Sequence, residues 1–250
     1  MSQVSYDAAA YEQGRPDYSR PAVEHLIDKL GVGSDDTVLD LAAGTGKFTK
    51  ELVPMVGPVV AVEPEPSMRN ELARNLPTIV VLDGHGASVP LPDDSVDAVT
   101  IAQAFHWFAG IEALEEIARV LRPGGRLGLI WNVRDLSTPL QLDLEEIFAH
   151  YRKGSPTYRG SGWRNVFTPD GPFGPLHEAK FRQSHVVDRT SLLALVMSMS
   201  YMSKISQDDR SSVEGAVAKV FDEHASPGDP EAVEVRYRTD VFWARARPRT

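Results

Sequence analysis

Cysteine is absent from all 250 residues, which excludes disulfides, thiolate nucleophiles and cysteine-ligated metals. Cations are scarce relative to acids. The 26 lysines and arginines face 35 aspartates and glutamates, and a net charge of -9 excludes broad electrostatic attraction to nucleic acid or to an anionic membrane. A local basic stretch, Arg236, Arg238, Arg245, Arg247 and Arg249, reads as the solvated face of a strand. No run approaches the ~18 apolar residues of a membrane span, and the opening "MSQVSYDAAAYEQGRPDY" lacks the charged start and apolar core of a leader. The seven histidines show neither H-x-x-x-H nor H-x-H spacing, so no metal site is expected. The expectation is a cytoplasmic protein, monomer or homodimer, with no nucleic-acid or membrane partner.

What is present is an alternation of strand and helix signals over a length that suits one α/β domain with a full core, with or without a small subdomain. Pro21 early and Gly31 late bracket a helix with Val23, Leu26, Ile27 and Leu30 at helical spacing. Strands follow at 37–41, 59–63, 78–82, 96–102 and 125–132, with helices at about 46–55, 65–75 and 111–121 between them. The strands are nearly all apolar, as parallel strands covered on both faces must be. Beyond residue 133 the rhythm changes to helices, a Gly/Pro-rich aromatic loop, a strand at 179–188 and a long strand at 233–247. The expected fold is a doubly wound, mostly parallel seven-stranded Rossmann-like sheet with a helical lid insertion after strand five. Its expected division is 1–35 as a covering segment and helix, 36–132 as a binding core, 133–230 as a lid and substrate region, and 231–250 as the strand completing the sheet.

The turn in "VLDLAAGTGKFTKEL" lies where the first βα connection of such a sheet usually cradles a ligand, with Gly44 and Gly46 permitting close backbone approach and a helix near Gly46 offering free N–H groups. A phosphate-binding P-loop fails twice: Leu41 stands at its first glycine and Phe48 follows Lys47. A dinucleotide fingerprint places Ala42 and Lys47 at two of its three glycines. The remaining reading puts an acid, Asp40, at the strand end, which repels a pyrophosphate and favours a ligand carrying ammonium or sulfonium. S-adenosylmethionine carries both.

These residues resemble motif I of class I S-adenosylmethionine-dependent methyltransferases. Three further segments, "VVAVEPEPSM", "DGHGASVPLPDDSVDAV" and "IARVLRPGGRLGLIWN", resemble the family's later motifs in order and spacing, so the resemblance covers 37–132. "YEQGRPDY" and "AQAFHWF" resemble a small-molecule subgroup of the trans-aconitate methyltransferase or type 11 kind. The resemblance implies S-adenosyl-L-methionine as cofactor, S-adenosyl-L-homocysteine as product, and a small-molecule methyl acceptor whose attacking atom is undetermined. It also implies a cofactor site of Tyr11, Arg15, Asp40, Ala42, Gly44, Gly46, Glu63, Pro64, Met68, His85, Gly86 and Gln103. Glu63 would take the ribose hydroxyls, Arg15 the methionine carboxylate, and Pro64 and Met68 would flank the adenosine.

Three positions depart from the family pattern. Ala42 replaces the first glycine, which is tolerable only if that position needs no positive φ. His85 and Ala87 replace the residues that usually read adenine. On the acceptor side, Trp107, Trp131 and Asn132 are candidate pocket residues, while Phe105 and Phe108 read as core. His106 is either a structural histidine or, with a near-neutral pKa, a general base. The rival readings are a binding protein that holds S-adenosylmethionine without transfer, and an NAD(P) enzyme.

Overall fold

The computed structural model describes residues 12, 14–152, 154, 157–160, 162–202, 205–225 and 228–249. They divide into two compact units. The first comprises residues up to Asp17 with Val133–Ser155 and Arg182–Arg238, and the second comprises Tyr18–Asn132, Pro156–Phe181 and 239–250.

The second unit begins with α1 (Arg20–Leu30), whose Ala22, Val23, Leu26 and Leu30 are buried, and Gly31 closes it in the left-handed conformation with its N–H on the carbonyls of Ile27 and Asp28. Such a cap satisfies carbonyls that the helix end would leave orphaned. Then come β1 (Val38–Leu41), α2 (Thr49–Leu52), β2 (Val59–Val62), α3 (Pro66–Asn75), β3 (Val80–Leu82), β4 (Val96–Ala102), α4 (Ile111–Val120) and β5 (Leu121–Arg134). β1 is buried at every residue, and β1–β2, β1–β4, β2–β3 and β4–β5 all pair in parallel. The full order of the seven-stranded sheet is β3-β2-β1-β4-β5-β7-β6, where β6 is His177–Val187 and β7 is Val233–Arg245. The strand order reverses direction between β1 and β4, and in open α/β sheets ligands bind at the carboxyl ends of strands at such a point.

Two elements differ from expectation by more than two residues. α2 is one turn long rather than running over 46–55: Gly46 has φ +86°, and Pro54 supplies no N–H to carry the helix on. β5 starts at Leu121 rather than 125, because Leu121 already pairs with Val96 and the ladder resumes at Arg126 opposite Ala98. The Pro-Gly-Gly break is therefore an irregularity within the strand.

The first unit is mostly helical: α5 (Pro139–Arg152), α6 (Arg189–Met197) and α7 (Gln207–His224). Its core joins Leu144 and Phe148 of α5, Leu192 and Val196 of α6, and Val217 and Phe221 of α7 to Val235 and Tyr237 of β7. No helix among the described residues is long and apolar enough to cross a membrane.

Candidate functional site

The turn after β1 is drawn onto the tip of β2. Ala43 N–H donates to the Val62 carbonyl at 3.1 Å, Gly44 N–H to Glu63 Oε2 at 2.9 Å, and Gly46 N–H to the Ala43 carbonyl at 3.0 Å. The free N–H groups expected here are thus engaged within the protein. A turn whose N–H already serves a carboxylate is a poor nest for pyrophosphate. Glu63 Oε1 also accepts from Glu65 N–H at 2.9 Å, and burial outweighs these bonds to raise its pKa. An added Cβ on Gly44 would meet nothing within 4 Å, whereas on Gly46 it would reach Leu72 at 3.0 Å. The open side of the turn therefore lies at Gly44, next to the Glu63 carboxylate.

Ala42 corrects an expectation. Its φ is +59°, so the position does require the left-handed region, and alanine occupies it at a cost of roughly 1–2 kcal/mol. Gln103, at the end of β4, has φ +61° as well. Its N–H donates to the Ile130 carbonyl at 2.9 Å and its side-chain amide to the Asn132 carbonyl at 3.5 Å. Non-glycine residues held at positive φ are uncommon, and they cluster where function demands a fixed backbone.

Asp40 is fully buried. Its carboxylate, expected to face a ligand, is enclosed between two hydroxyls: Thr49 Oγ1 donates to Oδ2 at 2.6 Å and Thr100 Oγ1 to Oδ1 at 3.2 Å. Burial pushes its pKa up to about 7 against the pull of the two threonines, with nearby Glu63 adding to the rise. In this geometry Asp40 ties β1 to β4 and to the helix following the turn.

Around the β2 tip, Met68 is buried and Pro64 exposed, its carbonyl accepting from Arg69 Nη1 at 2.7 Å. Arg69 also bonds the Glu63 carbonyl at 2.9 Å and grips Asp83 with both guanidinium nitrogens at 3.1 Å. Sequence reasoning missed this clamp, although Asp83 directly follows β3 and Arg69 follows Met68. His85 is exposed, with Nδ1 accepting from Ala87 N–H at 3.3 Å. Gly86 is buried so tightly that an added Cβ would overlap the Phe108 ring.

The aromatic cluster after β4 sorts differently from expectation. Phe105 is fully buried and packs edge-on against Trp163, as a core residue would. Trp131, expected in a pocket wall, is only 1% exposed and stacks on Trp163 at 4.7 Å, so it belongs to the core. Trp107 is 39% exposed. Trp131 Nε1 donates to His106 Nδ1 at 3.4 Å, and burial lowers the His106 pKa to about 4. The near-neutral base is corrected accordingly: at pH 7 the ring is neutral and its Nδ1 lone pair is in use. Asn132 Oδ1 accepts from Thr239 Oγ1 at 2.8 Å. The aromatic loop adds an unforeseen network in which Tyr158 OH donates to the buried Asp240 at 2.6 Å and Arg164 donates to the Tyr158 oxygen at 3.0 Å. Tyr11 lies outside the described residues, and Arg15, in the first unit, donates from Nη2 to the Ser198 carbonyl at 3.4 Å.

Residues 39–129 match the methyltransferase domain model of the type 11 family. A methyltransferase-like protein of Schizosaccharomyces pombe is 32% identical over 97% of this chain and 94% of its own length. This chain is a class I S-adenosylmethionine-dependent methyltransferase. Among solved structures, the methyltransferase superposes on a protein described as a type II methyltransferase from Anaeromyxobacter dehalogenans with a TM-score of 0.69 at 21% identity, covering 94% and 99% of the two chains; this is a likeness of fold. A ubiquinone/menaquinone biosynthesis C-methyltransferase of Hahella chejuensis is 40% identical over 40% of this chain and 45% of its own. S-adenosylmethionine is the methyltransferase's cofactor. The open face at Gly44 beside a carboxylate fits a nucleoside with hydroxyls to donate and no phosphate to repel.

Proposed function

We propose that the methyltransferase transfers a methyl group to a small molecule, and that the second unit holds the donor at the tips of β1 and β2. The observation that carries this reading is Glu63, a carboxylate fixed by Gly44 N–H on the open side of the turn. Glu63 accepts from the donor's ribose. Ala42, Gly44 and Gly46 shape the turn, Pro64 and Met68 flank the adenosine, and His85 and Gly86 line its far edge. Asp40 acts through Thr49 and Thr100, holding the turn rather than touching the donor, and Gln103 presents its amide beside the departing methyl group.

When bound, the donor supplies a sulfonium-activated methyl group, so the protein's work is alignment and exclusion of water. His106 contributes no proton acceptor at neutral pH. The acceptor is therefore a group already nucleophilic there, such as a carboxylate or a stabilised carbanion. A small acceptor is supported by the net charge of -9, which disfavours nucleic acid, and by the quinone named for the Hahella relative. Trp107 and Asn132 are the acceptor-side residues in this reading.

The test is a screen of small-molecule libraries with methyl-labelled donor, locating the new methyl by product mass spectrometry, beside calorimetry with S-adenosylhomocysteine. A labelled small molecule is the expected result. Label found only on RNA or protein refutes the reading.

A further inference from the structure

Within the second unit, packing aims one indole N–H at His106. Gln103 N–H donates to the Ile130 carbonyl at 2.9 Å, which ties the end of β4 to β5 one residue before Trp131, and His106 follows in the single helical turn Phe105–Trp107. Trp131 stacks on Trp163 with ring centres 4.7 Å apart and lies edge-on to Phe242 at 5.8 Å, and this packing pins the indole. Its Nε1–H reaches His106 Nδ1 at 3.4 Å.

An indole nitrogen can only donate. His106 Nδ1 is therefore the bare, accepting nitrogen, and the one proton of the neutral ring sits on Nε2. Burial keeps the ring neutral, its pKa lowered to about 4. Nε2 has no hydrogen-bond partner among the described residues, and unlike the Nε2 of His25 it is not closed off from solvent. Trp107, 39% exposed, leans over the same ring with centres 5.3 Å apart. A donor of fixed tautomer is thus left open just beyond the carboxyl end of β4, where open α/β sheets bind their ligands.

Such a donor favours one kind of acceptor. A neutral imidazole N–H is too weak an acid to surrender its proton to a carboxylate, so it holds an oxygen in place without protonating it. An amine nucleophile has a single lone pair, and a hydrogen bond to it would occupy the pair that has to attack. A carboxylate or an enolate offers a second position: one oxygen accepts from Nε2–H while the other oxygen, or the conjugated carbon, stays free. We propose that His106 is a specificity-determining residue for the acceptor, donating from Nε2 to an oxygen conjugated with the atom that is methylated, and that Trp131 is the positioning residue that keeps the proton on Nε2. In the transfer the acceptor's free electron pair forms the new bond to the methyl carbon as the carbon–sulfur bond breaks, that bond's pair returns to sulfur, and His106 keeps its proton throughout. The proposal rests on the small-molecule reading of this site.

Two measurements test it. Nitrogen NMR spectra of the full chain with isotopically labelled histidine read the tautomer directly, and His106→Gln assigns the signal by its loss. The expected ring carries its proton on Nε2 and does not titrate between pH 6 and 8; a protonated Nδ1, or a titrating ring, overturns the proposal. The methyl-label screen of the small-molecule library is then run at limiting acceptor with wild type, His106→Gln and His106→Leu. Glutamine can accept from Trp131 and still donate, so it should label the same product within about threefold, whereas leucine, which cannot donate, should fall about tenfold or more at unchanged S-adenosylhomocysteine affinity. The new methyl should sit on a carboxylate oxygen or on a carbon conjugated with an oxygen. Leucine equal to wild type, both variants falling alike, or a methyl on nitrogen or sulfur overturns the proposal. If His106→Leu misfolds and loses S-adenosylhomocysteine binding, the spectrum and the position of the new methyl decide. A wild type that labels no small molecule sinks the small-molecule reading, and the spectrum still decides the donor on its own.

Discussion

Replacing Asp40 with asparagine should make the protein more stable at pH 8, although the residue sits at the centre of the candidate site. Burial raises the Asp40 pKa from an ordinary 3.8 to about 7. An acid with a raised folded value holds its proton more tightly in the fold than in the unfolded chain. Well below pH 4 both states are protonated and nothing is lost; stability then falls as pH rises from about 4 toward 7 and levels off above it. Roughly three pH units at about 1.4 kcal/mol each set a ceiling of about 4 kcal/mol on this loss. Asparagine is neutral throughout and can keep the bonding pattern. Its amide oxygen can accept from Thr49, and its NH2 can donate to Thr100, whose own hydroxyl then turns to the Leu39 carbonyl 3.3 Å away. Urea unfolding at pH 4.5, 6 and 8 should show an advantage of Asp40→Asn that is smallest at pH 4.5 and grows to a few kcal/mol at pH 8. A variant less stable than wild type at pH 8, or a difference independent of pH, would refute the argument and mean that Asp40 sits ionised and well compensated.

Other expectations are shorter. Ala42→Gly relieves left-handed strain of roughly 1–2 kcal/mol but adds roughly 0.5–1 kcal/mol of unfolded-state entropy, for a net gain of up to about 1.5 kcal/mol in denaturant unfolding; a net loss would show the strain is not there. His106→Gln, which keeps an acceptor for Trp131, should retain turnover within about threefold and show no inflection lost from the pH–rate profile between pH 6 and 8. Because the folded His106 pKa is depressed to about 4 from 6.5, the wild type should shed up to about 3 kcal/mol of stability as pH falls through that window, a loss absent from the variant. Glu63→Gln cannot accept from both Gly44 and Glu65 N–H, and calorimetry should find S-adenosylhomocysteine affinity down by about tenfold to a hundredfold. Gly86→Ala must displace the Phe108 ring, at roughly 1–3 kcal/mol in thermal or denaturant unfolding.

The sheet was legible because its strands are short apolar runs covered on both faces, a pattern few other structures need. The placement of Glu63 beside the β1 turn came from the resemblance to the family's second motif, the local pattern marking only the end of an apolar strand there. What was hidden depends on contacts between distant parts of the chain. Asp40 is enclosed by Thr100, 60 residues away, and Tyr158 meets Asp240 across 82 residues. Nothing local to "IWN" says that Trp131 will stack on Trp163 rather than line a pocket, and that stacking is also what takes up His106. The positive φ of Ala42 and Gln103 runs against local preference, so propensity could only point the other way.

The second unit is not assembled from a continuous stretch. Thr239, which bonds Asn132, Asp240, which receives Tyr158, and Phe242, edge-on to both Trp131 and Trp163, all follow the whole of the first unit in chain order. During synthesis, therefore, the indoles beside His106 emerge long before the strand that seals them, and they must wait with their faces uncovered. A ribosome stalled just after Arg238 would present a nearly finished second unit with an open aromatic flank, a natural foothold for a chaperone and a sharp point at which truncation turns from tolerated to ruinous.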